Sequence, residues 1–593
     1  IKMKKKTGKI LVLLFSLALI LGMMSGCGSN DSAADQIFKN GKIYTEDADN
    51  NIVSAVAVKD GKFVFVGDEN SEGLKNLEGK NTEVIDLEGA MVIPGMIDAH
   101  SHPESVALDS WSITMPWTYD VEEMLKFVKE YCEEHPVEEV PFFVGKYYPS
   151  DLFGAEGPKA SMIDEYVSDR PVKLVDFSDH CCWFNSKAME LMGIDKNTPD
   201  PEGTAEIVRD KDGNPTGWFK EGDSYSPYLE NMYKAIDWYP PETVDDEMWK
   251  TVIDYYHSQG VIGMGDAIIQ DESNLKAIYD MDKAGELNMY YSAMVLLNGY
   301  KDIDNAIKTV KDYQEKYTTE NITIDTIKYF VDGTNEIGTS YVVEPFSNDP
   351  EGKNHGSMDM TEDQLKDIIV KLNGEGIDLQ MHVVGDGGFR TICNATEAAQ
   401  KECGDDWKIQ IEMVHCELIN DEDKLRPAEL GIIVNWTPHW TGGYFGDAAI
   451  EWLGEERFDS MYNLQPMIEA GGIVNMGSDV VSQYEFHRAS PFFGMQTAIS
   501  RVDPEFPMDE EKYPGSVRPE KGAGYTMDQM LKGYTINSAI QFRIDDVAGS
   551  IEEGKFADLC VIKENLYDVD VNKLSEVEPT AVMFKGKIVS GEF

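Results

Sequence analysis

The chain has 593 residues, with Lys+Arg 52 against Asp+Glu 107 and a formal net charge of −55. That balance excludes nucleic-acid binding as a main function, because phosphate backbones are held by basic surfaces. The length is too great for one small domain and suits a large barrel with additions.

The first segment reads as an export signal. Met3-Lys4-Lys5-Lys6 is basic, Ile10 to Met24 is apolar, and Met24-Ser25-Gly26-Cys27 looks like a bacterial lipobox. The apolar run is short for a bilayer span and polar sequence follows at once. Residues 1–26 are therefore expected to be a lipoprotein signal peptide and 27–35 a tether. Cys27 would be lipidated, and the exported protein anchored to the bacterial cell membrane. The alternative is a soluble product cut near Cys27. The chain has 8 cysteines at irregular spacing, an odd number once Cys27 is set aside. That is a poor disulfide framework, so mostly reduced, buried thiols are expected.

Residues 36–92 look like part of a small β domain. Ile43-Tyr44, Ile52–Val58, Lys62–Val66 and Val84–Leu87 are short alternating runs, and Asn40-Gly41 and Asp60-Gly61 read as turns. Ala557–Ile562, Ala581–Phe584 and Lys587–Val589 have the same texture. The two ends, 36–92 and 547–593, are expected to pair into one β-sandwich.

The run Ala90 to Ala99 is apolar and β-branched, and reads as one buried strand ending in His100-Ser101-His102. Residues i and i+2 of a strand point the same way, so two imidazoles project together. Side by side they make a natural metal claw. The alternative is a pair of surface loop histidines. Between 93 and 546, strand-like runs alternate with helix-like ones. The runs after the first are Val261–Ala267, Met289–Leu297, Thr323–Asp332, Ile377–Val384, Ile409–His415, Ile432–Thr437 and Ile473–Asp479. Helices are expected between them, such as Asp363–Asn373 and Gly388–Glu402. Eight βα units imply an α/β fold, a closed (β/α)8 barrel of TIM type. Residues of about 104–258 do not fit one βα loop. They carry strands of their own at 142–148 and 172–177 and a hairpin at 207–213, and read as an inserted subdomain over the barrel mouth.

Five more polar residues fall at or near ends of these runs: Lys328, His382, His415, His439 and Asp479. A lone histidine in an apolar strand is usually a hydrogen-bonded core residue. A lone lysine there is rarer, because burying an ammonium is costly. Convergence of all five on one rim points to chemistry, since the C-terminal rim of such a barrel is its active face.

The order His-x-His, Lys, His, His, Asp on strands one, four, five, six and eight resembles the amidohydrolase superfamily. The local phrases resemble amidohydrolase family 3, the group containing N-substituted formamide deformylases. They are Pro94-Gly95-Met96-Ile97-Asp98-Ala99-His100-Ser101-His102, Asn185-Ser186-Lys187-Ala188, Lys328 through Asp332-Gly333, Gly385-Asp386, Gly477-Ser478-Asp479, Thr535–Ala539 and Gly549–Leu559. The resemblance runs from about Gln36 to Phe593 and implies the fold already read from the pattern. It further implies that His100, His102 and Asp479 bind one divalent metal and His382 and His415 a second. Lys328 would bridge the two as a carboxylated lysine; a single metal beside a plain lysine is the alternative. Zinc suits imidazole and carboxylate ligands, as do iron, manganese and cobalt.

By the same resemblance, water activated at the metal would attack a carbonyl or amidine-like carbon. Asp479 would move its proton, and His439 or His180 would hydrogen-bond the developing oxyanion. His180, from the insert, would close over substrate. Glu221 matches a recurrent family phrase, and Trp436 heads an aromatic group with Trp440, Tyr444 and Phe445. These three, His180, Glu221 and Trp436, are the substrate-contact candidates. The expected activity is metal-dependent hydrolysis of non-peptide carbon–nitrogen bonds, with small N-acyl or N-formyl amines as substrates. The rivals are hydrolytic deamination on the same barrel and a non-catalytic solute-binding lipoprotein.

Overall fold

Short β-branched runs, buried on both faces, become the parallel strands of a barrel. The computed structural model describes residues 33–508 and 524–593, apart from 117, 150–151, 154–156, 177–180, 200–205, 221 and 337. Residues 1–26, expected as a signal peptide, Cys27, His180 and Glu221 lie outside the described residues. The barrel strands in chain order are Met96–Ser101, Val261–Asp266, Tyr290–Leu296, Ile322–Phe330, Asp378–Val383, Ile411–His415, Ile433–Trp436 and Val474–Met476. They form one 8-stranded sheet in that order, each strand parallel to the next. The ring is joined just past the last strand. Asp479 N donates to His100 O at 2.8 Å, and His102 N donates to Val480 O at 3.0 Å.

Helices pack outside the strands, as the 3.6-residue patterning requires. Glu362–Glu375 starts at Thr361, where the Thr361 hydroxyl and the Gln364 side chain cap each other's backbone. It is followed, after the fifth strand, by Asp386–Cys403. Side chains such as Ile327, Leu379, Ile368 and Leu372 are all at most 1% exposed. Each such burial is worth roughly 1.5–3 kcal/mol. Cys132, Cys393, Cys416 and Cys560 are buried free thiols.

The ends of the chain meet in a second 8-stranded sheet. It draws Gln36–Tyr44, Ile52–Lys59, Lys62–Gly67, Glu83–Asp86 and Met91–Pro94 from one end, and Leu559–Ile562, Pro579–Phe584 and Lys587–Gly591 from the other. Phe38, Val58, Val92, Leu559 and Met583 share its core. Ala34 and Asp35, expected in the tether, are already hydrogen-bonded to Leu77 and Val58 of this unit.

Two local expectations are corrected. Asn40-Gly41 is not a hairpin turn but a bulge within one strand. Asn40 has φ 58°, and pairing shifts there from Glu83–Asp86 to Met91–Pro94. By contrast Asp60 and Gly61, both with positive φ, do close the hairpin that follows.

The run Ala90–Ala99 is also not one strand. It divides at Gly95, with Met91–Pro94 in the terminal sheet and Met96–Ser101 in the barrel. Continuous hydrophobicity hides the break, because both halves are fully buried. Gly95 is where the chain passes Ile262 of the second barrel strand; a β-carbon there would lie 2.3 Å from Ile262 Cγ1. Gly95→Ala is therefore expected to destabilise the protein by about 1–3 kcal/mol through overpacking. A thermal melt checks this, and an unchanged melting temperature would rule out the close approach.

Between the first two barrel strands lies a 6-stranded sheet that includes Phe143–Tyr148, Val172–Asp176 and the hairpin Glu206–Arg209 with Pro215–Lys220. This insert meets the barrel's C-terminal rim at Asp109. The Asp109 carboxylate accepts from Lys146 Nζ, from Tyr147 OH at 2.9 Å and from Gln483 N, beyond the eighth strand, at 3.0 Å.

Candidate metal centre

The first strand delivers His100, and His102 follows it at the start of the helix Pro103–Asp109. Asp479 follows the eighth strand. Its position is set by Asp98, a buried carboxylate two residues before His100. Asp98 accepts from Ser478 N at 2.9 Å, Ser478 Oγ at 2.6 Å and Tyr256 OH at 2.9 Å. Gly477 allows the close fit, since a β-carbon there would lie 2.6 Å from His100 Cβ. Asp479 itself has φ 51°.

The result is a three-residue focus. His100 Nε2 lies 3.1 Å and His102 Nε2 3.2 Å from the same Asp479 Oδ1. The ligand atoms of His100, His102 and Asp479 all fall within 4.8 Å of one another. His415 approaches the other carboxylate oxygen, with Nε2 at 3.9 Å from Asp479 Oδ2. His382 stands next to His415, ring centroids 4.6 Å apart, and its Nε2 donates to Gly333 O at 3.2 Å. Lys328 Nζ is 3.4 Å from His100 Nε2 on the inner wall. The rim thus brings together six predicted ligands, with His100, His102 and Asp479 the tightest set.

The backbone is strained here. His415 has φ 77° and Cys416 φ 49°. A bulky residue in that region costs of order 1–3 kcal/mol, and such outliers gather at functional sites. Trp440 stacks on the His415 ring at 4.8 Å and 20°.

Electrostatics favour a cation. Burial and then the nearby Lys328 lower His100 to a pKa of about 3 and His382 to about 4. Burial likewise holds His415 well below the usual histidine value. These imidazoles are neutral at pH 7, the form that ligates metals. The single ring proton of His100 is engaged through Nδ1, which sits 2.7 Å from Gln380 Oε1. Its Nε2 lone pair therefore faces a carboxylate oxygen, a repulsive contact that a cation between them relieves. The donor set of two imidazoles and a carboxylate fits zinc or a similar divalent ion.

His439 is 1% exposed, and its Nε2 has no hydrogen-bond partner among the described residues. It lies within electrostatic reach of Asp479. A cleft of about 500 Å³ lies between the segment after the first strand and the one after the eighth, lined by residues that include Ser105, Leu108, Trp111, Tyr147, Val481 and Glu485. Ser105 follows His102 on its helix, and Val481 follows Asp479. Trp436 does not contact this space. It is 0% exposed in the core and stacks on Tyr525 at 4.3 Å. Of the expected substrate contacts, Trp436 is thus not brought to this cleft. The cleft's aromatic residues, Trp111 and Tyr147, come from the segment after the first strand.

Sequence reasoning missed Gln380 and Glu412, both at most 1% exposed inside the barrel. Gln380 stands two residues before His382 and so shares its face, a signal that was available.

A family model described as the amidohydrolase family matches residues 83–590. N-substituted formamide deformylase of Arthrobacter pascens is 26% identical over 565 residues, covering 92% of this chain and 96% of that protein. Exoenzymes regulatory protein AepA of Pectobacterium carotovorum subsp. carotovorum is 25% identical over 452 residues, covering 75% of this chain and 94% of that one. The solved structure of an uncharacterized metal-dependent hydrolase from Pyrococcus horikoshii OT3 is similar in fold, with a TM-score of 0.66 at 21% identity. It covers 90% of this chain and 99% of that one. With the family model spanning the barrel, the insert and part of the terminal sheet, the chain belongs to the amidohydrolase family of hydrolases.

Proposed function

We propose that the protein hydrolyses non-peptide carbon–nitrogen bonds of small N-acyl or N-formyl amines. The observation that carries this reading is the focus of His100, His102 and Asp479 at the barrel mouth. The similarity to N-substituted formamide deformylase supports the choice of substrate class.

His100, His102 and Asp479 would hold one divalent ion and His382 and His415 a second, and Lys328 would contribute as a carbamate. When bound, such an ion supplies a water whose pKa is lowered to roughly 7 and polarises a carbonyl. Asp479 accepts the proton of the attacking water at its carboxylate and returns it to the leaving nitrogen. His439 Nε2, buried and unpartnered among the described residues, donates to the carbonyl oxygen as charge develops on it. The cleft lined by Leu108, Trp111 and Tyr147 takes the apolar substituent on nitrogen.

Metal analysis of the purified protein, paired with a substrate screen, tests the reading. About one or two zinc equivalents per chain are expected. Removing them with a chelator should abolish release of free amine from N-formyl and N-acetyl amines, and added zinc should restore it. Ammonia release from amino-heterocycles without cleavage of acyl amines would replace this reading with deamination. A metal-free protein that only binds solutes would overturn it.

A further inference from the structure

We infer that Gln380 is a positioning residue of the metal centre, one that fixes His100 in its Nδ1–H form and so presents Nε2 as a ligand. The inference rests on the metal reading proposed above.

Gln380 is 0% exposed on the fifth barrel strand. Its side chain bridges three strands. Oε1 lies 2.7 Å from His100 Nδ1 on the first strand, and Lys328 Nζ on the fourth approaches the same atom at 3.4 Å. Nε2 donates to Glu412 Oε2 on the sixth strand at 2.7 Å.

This pattern determines which way the amide points. One end meets a carboxyl oxygen, which takes a hydrogen bond. The other end meets His100 Nδ1 and the Lys328 amine, which carries N–H bonds in every protonation state. Turning the amide over would set its NH2 against that amine and forfeit the bond to Glu412. The oxygen therefore faces His100, and the ring proton sits on Nδ1. The other tautomer would aim an N–H at Asp479 Oδ1, in the space where a cation would be held. Gln380 removes that tautomer, and Glu412 holds Gln380 in place. A ligating histidine whose second nitrogen is held this way is oriented and more basic, and losing the partner typically weakens metal binding about 10–100-fold.

The test is zinc titration of the apoprotein against a chromophoric chelator, which reads affinity without any substrate. Gln380→Met keeps the volume and removes the acceptor. It should bind zinc about 10–100-fold more weakly, with an unchanged apoprotein circular-dichroism spectrum. Gln380→Glu keeps an acceptor facing His100 and should stay within about fivefold of wild type on the same scale. The visible bands of the cobalt-loaded protein should change in Q380M and be retained in Q380E. A folded Q380M protein with wild-type zinc affinity overturns the inference. Should Q380M not fold, Glu412→Met answers the same question, since it leaves the amide free to turn. About tenfold weaker zinc binding is then expected, and unchanged affinity overturns the inference. Failure of the underlying reading looks different: the wild-type chain itself would bind no zinc.

Discussion

Asp479→Asn is expected to lower turnover by about 10³-fold or more, with loss of metal. Three roles end together. Oδ1 is the shared focus of His100 and His102, at 3.1 and 3.2 Å. Oδ2 faces His415 at 3.9 Å. The carboxylate is also the charge that balances a bound cation, and the base closest to it. An amide of the same shape keeps none of the charge and cannot take up a proton. The fold should survive. The backbone bond from Asp479 N to His100 O does not involve the side chain, and Ser478 remains clamped by Asp98. The checks are kcat on an N-acyl amine found in the screen, metal content, and an apoprotein melting curve. A D479N protein that keeps its metal and turns over within about tenfold of wild type would remove Asp479 from both roles.

Much of this architecture was legible because buried parallel strands are short, β-branched and continuous. The runs that begin at Val261, Met289 and Thr323 match observed strands within a residue or two at most ends. The rim residues were legible for a related reason. One histidine in such a run is usually a core residue, but histidine, lysine and aspartate recurring at the ends of several runs point to a shared rim.

Legibility fails where tertiary geometry overrides the local pattern. Gly95 separates two strands of different sheets, yet the residues around it are uniformly apolar. Asn40 adopts φ 58° inside a strand, although Asn-Gly is a hairpin signal. Glu412 and His415 both reach the barrel interior although they are three residues apart. The positive φ at His415 breaks the two-residue alternation that would have separated them. Gln380 lacked a charge to draw notice, and its role depends on partners from three other strands. Trp436 drew attention as one of several neighbouring aromatics, but its strand directs it into the core while Trp440 reaches the site.

Lys328→Ala is expected to cost both metal and activity, with partial return of each on adding short carboxylic acids. Lys328 is 1% exposed, on the fourth barrel strand. Its Nζ lies 3.4 Å from both His100 Nε2 and Gln380 Oε1, and 5.4 Å from the centroid of Phe330 at the mouth. Burial lowers its pKa to about 7. Near neutrality much of it is therefore a free amine, the form whose nitrogen attacks carbon dioxide and loses a proton to give a carbamate. An ammonium at this position would repel a cation held by His100, whereas a carbamate offers two anionic oxygens. Removing the side chain leaves a space the size of a small carboxylate beside the ligands, which is why acetate or propionate should partly substitute for it. The variant should retain less than about 1% of wild-type turnover, as expected when a ligand's charge and position are both lost. A crystal structure of the metal-loaded, active enzyme supplies the independent check. Continuous density for a carbamate at Nζ is the expected result, and density for an unmodified amine would rule out the bridging role.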